Sequence, residues 1–234
     1  MEASYRRRRL IMMSVVLAGV IVAMILSGTL HFNSASNDLP PQMGSTGSSP
    51  ALAALGSLLI KGRAPKTDYS RAQFGDGWTT TAGCDTREII LHRDLTNTIL
   101  DPACNVTRGT LDDPYTGKII QFVRGTDTSS AIQIDHVVAL SDAWQTGAQL
   151  LSKTTRIALA NDPLELLAVD GPANQQKSDG DAATWLPPNK PFRCQYVARQ
   201  IAVKQKYTLW VTRAEHDAMQ SVLGSCKDQP LPTK

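Results

Sequence analysis

Apolar residues along this chain recur with different periods, and the periods predict its elements. Leu52, Leu55, Leu58 and Leu59 return at helical spacing and mark the start of a folded domain at Ala51. Glu88-Ile89-Ile90-Leu91 with Leu95 predicts a helix within residues 82–100, after a Gly83-Cys84-Asp85-Thr86-Arg87 loop. Asp113-Pro114-Tyr115-Thr116-Gly117 has turn chemistry between two strand-like runs, the second being residues 119–123. Residues 132–138 alternate and are β-branched, which predicts a strand. Helical patterns follow at 141–149 and 156–160, then an apolar strand at 164–169 stopped by Asp170-Gly171-Pro172. Helices are predicted over 173–185, ended by Pro187-Pro188, and over 193–206, with Val197 and Ile201 on one face. The fold class is α+β, with a small antiparallel sheet surrounded by helices.

One apolar stretch has no polar face at all. Residues 10–30 carry no charge, and 21 residues at a rise of about 1.5 Å span about 30 Å, the thickness of a bilayer core. Arg6 to Arg9 precede it, so the expectation is one transmembrane helix with the rest of the chain outside the cell. The alternative is a cleaved signal segment and a secreted product, for which Ser34-Ala35-Ser36 supplies a small-x-small pattern. Residues 31–50 are rich in Ser, Asn, Gly and Pro and read as a tether. The organisation is therefore tip and anchor over 1–30, linker over 31–50, domain over 51–228 and tail over 229–234.

Charge sharpens this picture. The 24 Lys and Arg exceed the 21 Asp and Glu by +3, but that excess sits at the N-terminus, and residues 31–234 carry no net charge. Overall charge therefore makes no case for a nucleic-acid partner. Its distribution does: residues 182–214 lack acids and hold Lys190, Arg193, Arg199, Lys204, Lys206 and Arg213. Such a run suits a nucleic-acid-tracking face, the first five being its candidate contacts. With 42% hydrophobic residues the chain is not disordered throughout, and four cysteines are too few for a disulfide miniprotein. Cys84, Cys104, Cys194 and Cys226 admit three pairings; Cys84–Cys104 with Cys194–Cys226 closes the shortest loops. No Gly-x-Ser-x-Gly element supports a serine hydrolase.

Asp135-His136 ends a predicted strand, and Asn174-x-x-Lys177 opens a predicted helix after a strand and a turn. The pair, with Asn174-Gln175-Gln176-Lys177, resembles the opening and closing elements of the HNH, or His-Me finger, nucleases. Residues 51–228 more widely resemble exported bacterial proteins related to the GmrSD restriction endonuclease C-terminal domain. The segments concerned include Gly83 to Arg87, Asp113 to Gly117, Ile134 to Trp144, Asn161 to Leu164, Leu167 to Pro172 and Trp185 to Lys190.

The resemblance implies a ββα-metal core and a metal-dependent endonuclease acting on nucleic acid, DNA foremost. His136 would be the general base, and Asp135 and Asn174 would hold Mg²⁺ or Mn²⁺. Arg87 would clamp a phosphate, and Lys177 would contact a phosphate or the Asp135 region. Asn174 also has the chemistry of a helix N-cap. Nine residues before Asn174, where the pattern has Asn, this chain has Glu165, which can accept backbone hydrogen bonds. Asn161 is the other candidate brace for the histidine loop. The competing expectation is a catalytically inert, disulfide-stabilised exported module that binds nucleic acid or an envelope partner.

Overall fold

The computed structural model describes residues 49–126 and 128–233. The predicted membrane helix over 10–30 and nearly all of the tether lie outside these residues. Among the described residues no helix is long and apolar enough to cross a membrane.

Ser49 accepts from the Leu52 amide and caps α1 (Pro50–Leu55), which buries Ala51 and Leu55. The short strands β1 (Thr80–Thr81) and β2 (Cys84–Asp85) pair before α2 (Thr86–Asp94), whose N-cap Asp85 accepts from Glu88 N. The helix predicted within 82–100 ends there, because Thr96-Asn97-Thr98-Ile99 is largely β-branched and Asn97 takes φ +52°. These residues form β3 (Thr96–Leu100), which pairs with β4 (Val106–Asp112), and β4 pairs in turn with β5 (Ile119–Val123) in an antiparallel order β3-β4-β5. Asp112 opposite Ile119 closes the 113–117 turn, where Gly117 supplies a φ of +71°.

A third sheet pairs β6 (Ile132–His136) with β7 (Leu166–Asp170), antiparallel. Between them run α3 (Leu140–Gln145) and α4 (Lys153–Ala160), and after them α5 (Gly171–Lys177), α6 (Arg193–Lys206) and α7 (Arg213–Leu223). The molecule is thus α+β, with small antiparallel sheets and helices, in place of the one sheet expected.

Two apolar cores flank β6–β7. Leu166 and Ala168 join Ile90, Leu91, Phe122, Ile132 and Ile134 in one. Leu167 and Val169 join α1, α6 and α7 side chains in the other. Burial on both faces explains why residues 166–169 read as an unbroken apolar run rather than an alternation.

Two helix predictions need correction. The helix expected over 173–185 stops at Lys177, because Ser178 turns into the left-handed region (φ +51°) and Asp181 takes the Ala183 and Thr184 amides into a turn. α7 was not expected, although Thr212 and Glu215 form a capping box and Glu215, Met219 and Leu223 are its buried residues.

The cysteines pair sequentially, Cys84–Cys104 and Cys194–Cys226, with Cα separations of 5.5 and 5.8 Å. The second bridge ties the start of α6 to the residues after α7 across a separation of 32 residues. Loop-closure entropy for that length is worth about 3–4 kcal/mol. The double variant Cys194→Ser/Cys226→Ser should therefore melt on the order of 10 °C lower. A scanning-calorimetry trace unchanged from wild type would show that the bridge does not constrain the chain.

Candidate active site

β6 ends on Asp135 and His136, and strand alternation sends the two side chains to opposite faces. A cleft of about 620 Å³ opens beside them, bordered by Asp135, His136, Asn174 and Arg87 among others. Four of the residues singled out in the sequence therefore meet at one cavity. Lys66, Tyr69, Arg71, Trp78 and Gln133 also border it and were not anticipated.

The His136 ring lies parallel to Trp78, with centroids 5.7 Å apart and planes at 9°. Its Nε2 is 3.0 Å from the Ala160 carbonyl. A carbonyl oxygen only accepts, so Nε2 carries the proton and Nδ1 keeps the lone pair. Nδ1 is not among the enclosed side-chain atoms that lack a partner, so it meets solvent. Burial drives the imidazole pKa down to about 3; the Ala160 carbonyl opposes this, while the charges of Arg71 and Lys177 add to it. His136 is thus a neutral imidazole at ordinary pH. The unfolded chain would take up this proton near pH 6.5 and the folded chain only near pH 3, so folding weakens as pH falls below about 6.5.

Asp135 is enclosed on the other side. Lys177 Nζ donates to its Oδ1 at 2.9 Å and to the His136 carbonyl at 2.7 Å, and the Tyr115 hydroxyl donates to Oδ2. Burial pushes the Asp135 carboxyl up, and Lys177 and Tyr115 pull it back toward the ionised form. Lys177 is only 2% exposed, so its contact is with Asp135 and not with a phosphate. The 113–117 turn serves the same site. Asp113 accepts from the Asp170 and Thr116 amides, and this holds Tyr115 over Asp135. Tyr115 is itself packed among Trp185, Phe192 and Tyr196.

α5 brings in Asn174. Its cap is Asp170, which accepts from Ala173 N at 2.8 Å, so the capping role open to Asn174 is already filled. Gly171 is required at this point, because a Cβ there would lie 2.2 Å from the Ser130 carbonyl. Asn174 Nδ2 donates to Gln133 Oε1 at 2.9 Å, which leaves Oδ1 as the acceptor.

Glu165 is fully enclosed, and its Oε2 accepts from the Val138 amide at 3.2 Å. The Glu165 carbonyl also takes the Val137 amide at 2.8 Å, so both ends of this residue brace the turn after His136. Burial pushes its carboxyl well above the usual range, and the neutral acid holds one donor beside an acceptor, much as an amide does. The side chain of Asn161 makes no hydrogen bond to that turn. It accepts from Thr79 N at 2.9 Å and so supports the chain next to Trp78.

Arg87 borders the cleft from α2, with Nη1 3.0 Å from Glu88. The basic run along α6 lies elsewhere, and none of its five candidate contacts borders the cleft. Lys204 is buried between Asp142 and Glu215 and reaches no surface. Arg199 donates to the Pro163 and Leu164 carbonyls, Arg193 to the Pro187 carbonyl, and Lys206 pairs with Asp162 at 2.6 Å. Only Lys190 stays exposed with no side-chain bond among the described residues. Of the five, Lys204 is withdrawn from any surface contact, Lys190 and Lys206 remain exposed away from the cleft, and the cations of the cleft are Lys66, Arg71 and Arg87.

Among the described residues no group of three or more His, Cys, Asp or Glu is placed to hold a metal ion. The carboxylates that border the cleft are those of Asp135 and Asp179, the latter paired with Lys66, and Asn174 adds an amide oxygen.

Residues 85–222 match the family described as GmrSD restriction endonucleases, C-terminal domain. A secreted protein of Arthroderma benhamiae, itself uncharacterized, is 36% identical over 189 residues, covering 80% of this chain and 89% of the relative. No solved structure matches.

Proposed function

This chain belongs to the family of GmrSD restriction endonuclease C-terminal domains, and we propose that it is an exported, metal-dependent HNH-type endonuclease hydrolysing phosphodiester bonds, DNA foremost. The observation that carries this reading is the state of His136: Nε2 is committed to a carbonyl, Nδ1 keeps its lone pair, and the ring borders one cleft with Asp135 and Asn174. The succession β6, β7, α5 is the strand–strand–helix frame that a ββα-metal site needs.

The donor set fits a hard cation. A carboxylate has about four lone-pair positions, of which Lys177 and Tyr115 take two, and Asn174 Oδ1 is available. Mg²⁺ commonly accepts one or two protein oxygens and fills the rest with water and phosphate. Asp135 and Asn174 would hold the ion. When bound, Mg²⁺ or Mn²⁺ supplies positive charge that stabilises the oxygen departing from phosphorus.

The chain's own residues do the rest. His136 Nδ1 takes the proton of the attacking water, and the Ala160 carbonyl on Nε2–H stabilises the imidazolium that results. Trp78 fixes the ring plane. Lys177 holds the Asp135 carboxylate and the His136 backbone in one frame. Arg87 offers guanidinium donors to a phosphate at the rim.

Two disulfides and a relative named as secreted support export. Residues 10–30 would then act as the anchor or as a removable leader.

Supercoiled plasmid incubated with the disulfide-intact protein should be nicked with Mg²⁺ or Mn²⁺ and spared in EDTA. Cleavage that survives EDTA would overturn the metal-dependent reading. Salt-sensitive DNA binding with no cleavage under any divalent ion would mark the inert module instead.

A further inference from the structure

Part of the cleft wall comes from residues 60–79, which precede the family-matched region 85–222. This segment is bonded to the domain along its length. Ala64 N donates to the Gln145 carbonyl at 2.8 Å, and Trp144 Nε1 donates to the Thr67 carbonyl at 3.2 Å. Arg63 reaches Asp181 at 2.7 Å and Asp142 at 3.1 Å. Arg156 Nε holds the Gln73 carbonyl at 2.9 Å, and Asn161 holds Thr79. A wall fixed at this many points presents its side chains in defined places.

Three cations border the cleft, and two of them are already paired: Lys66 with Asp179 at 2.5 Å, Arg87 with Glu88 at 3.0 Å. Arg71 is exposed and makes no side-chain hydrogen bond or ion pair among the described residues. It borders the 620 Å³ cleft and also a smaller cavity of about 170 Å³, and His136 borders both. An exposed surface arginine needs no function, but this one stands beside the base with its guanidinium donors unspent, and that fork matches phosphate oxygens.

We propose that Arg71 binds the phosphodiester backbone of the nucleic acid next to the bond on which His136 acts, so that the substrate site extends over a segment outside the family-matched region. This rests on the endonuclease reading above. It adds a phosphate contact on the N-terminal side of the domain to the one proposed for Arg87.

The test is binding of a short fluorescein-labelled DNA duplex to the full, disulfide-intact protein in EDTA, by anisotropy over a series of KCl concentrations. No cleavage is needed for this readout. Arg71→Gln should weaken binding about tenfold, as expected for a charge-assisted contact. It should also flatten the slope of log K against log salt by about 0.9, the value for one duplex phosphate contact. Arg71→Lys should keep the wild-type slope. The melting temperature of both variants should stay at the wild-type value, since the side chain holds nothing else.

Wild-type affinity and slope in Arg71→Gln would overturn this proposal and leave the endonuclease reading intact. A lowered melting temperature would make Arg71 structural and overturn it as well. Absence of DNA binding by the wild-type protein would overturn both.

Discussion

Lys177→Met should destabilise the protein by about 3–5 kcal/mol, the usual cost of removing one partner of a buried ion pair. The substitution keeps most of the side-chain volume, so the loss reports charge and hydrogen bonding more than packing. Lys177 is almost wholly enclosed and donates both to Asp135 and to the His136 carbonyl. Without it, Asp135 is left as a carboxylate with only the Tyr115 hydroxyl in a site that already favours the neutral acid. For a domain of this size the melting temperature should fall on the order of 10 °C at neutral pH. The deficit should shrink as pH is lowered, because a protonated Asp135 is enclosed at less cost than an ionised one. Lys177→Met/Asp135→Asn should recover part of the loss. A single Lys177→Met variant melting with the wild type would show that the Asp135–Lys177 pair does not hold the site together.

The frame of this site could be read from the chain because its signals are local. The β-branched run into Asp135-His136, the apolar run of β7 and the Asp170-Gly171-Pro172 turn all sit where the strand–strand–helix frame needs them. Glu165 was legible as a brace by its place before Asn174. Its environment was not, since full burial follows from β7 lying between two cores.

Within the basic run, Lys204 was misplaced at the surface for a reason visible in the helix. Lys204 follows Val197 and Ile201 at i+7 and i+3, so it shares their inward face, and Asp142 and Glu215 meet it there. Charge counted along a sequence does not say which way each side chain points. Trp78 and Arg71 left no sequence signal, because their closeness to His136 comes from a long-range fold of residues 60–79 across the domain. Tyr115 lay within a quoted segment, but its bond to Asp135 is likewise a tertiary event.

His136→Ala carries the second large expectation, and it bears directly on the central claim. The proposed base of the cleft is this ring, its tautomer set by the Ala160 carbonyl and its face stacked on Trp78. Removing a positioned general base lowers rate about 10²–10⁴-fold. Substrate affinity should change little, because Arg71 and Arg87 remain. The decisive measurement is single-turnover cleavage of a labelled DNA duplex in Mg²⁺ by wild-type and His136→Ala protein, both shown folded by near-ultraviolet circular dichroism. The account predicts Mg²⁺-dependent cleavage by the wild type, and a His136→Ala rate lower by about two orders of magnitude or more with binding retained. A His136→Ala protein that cuts at the wild-type rate would contradict it.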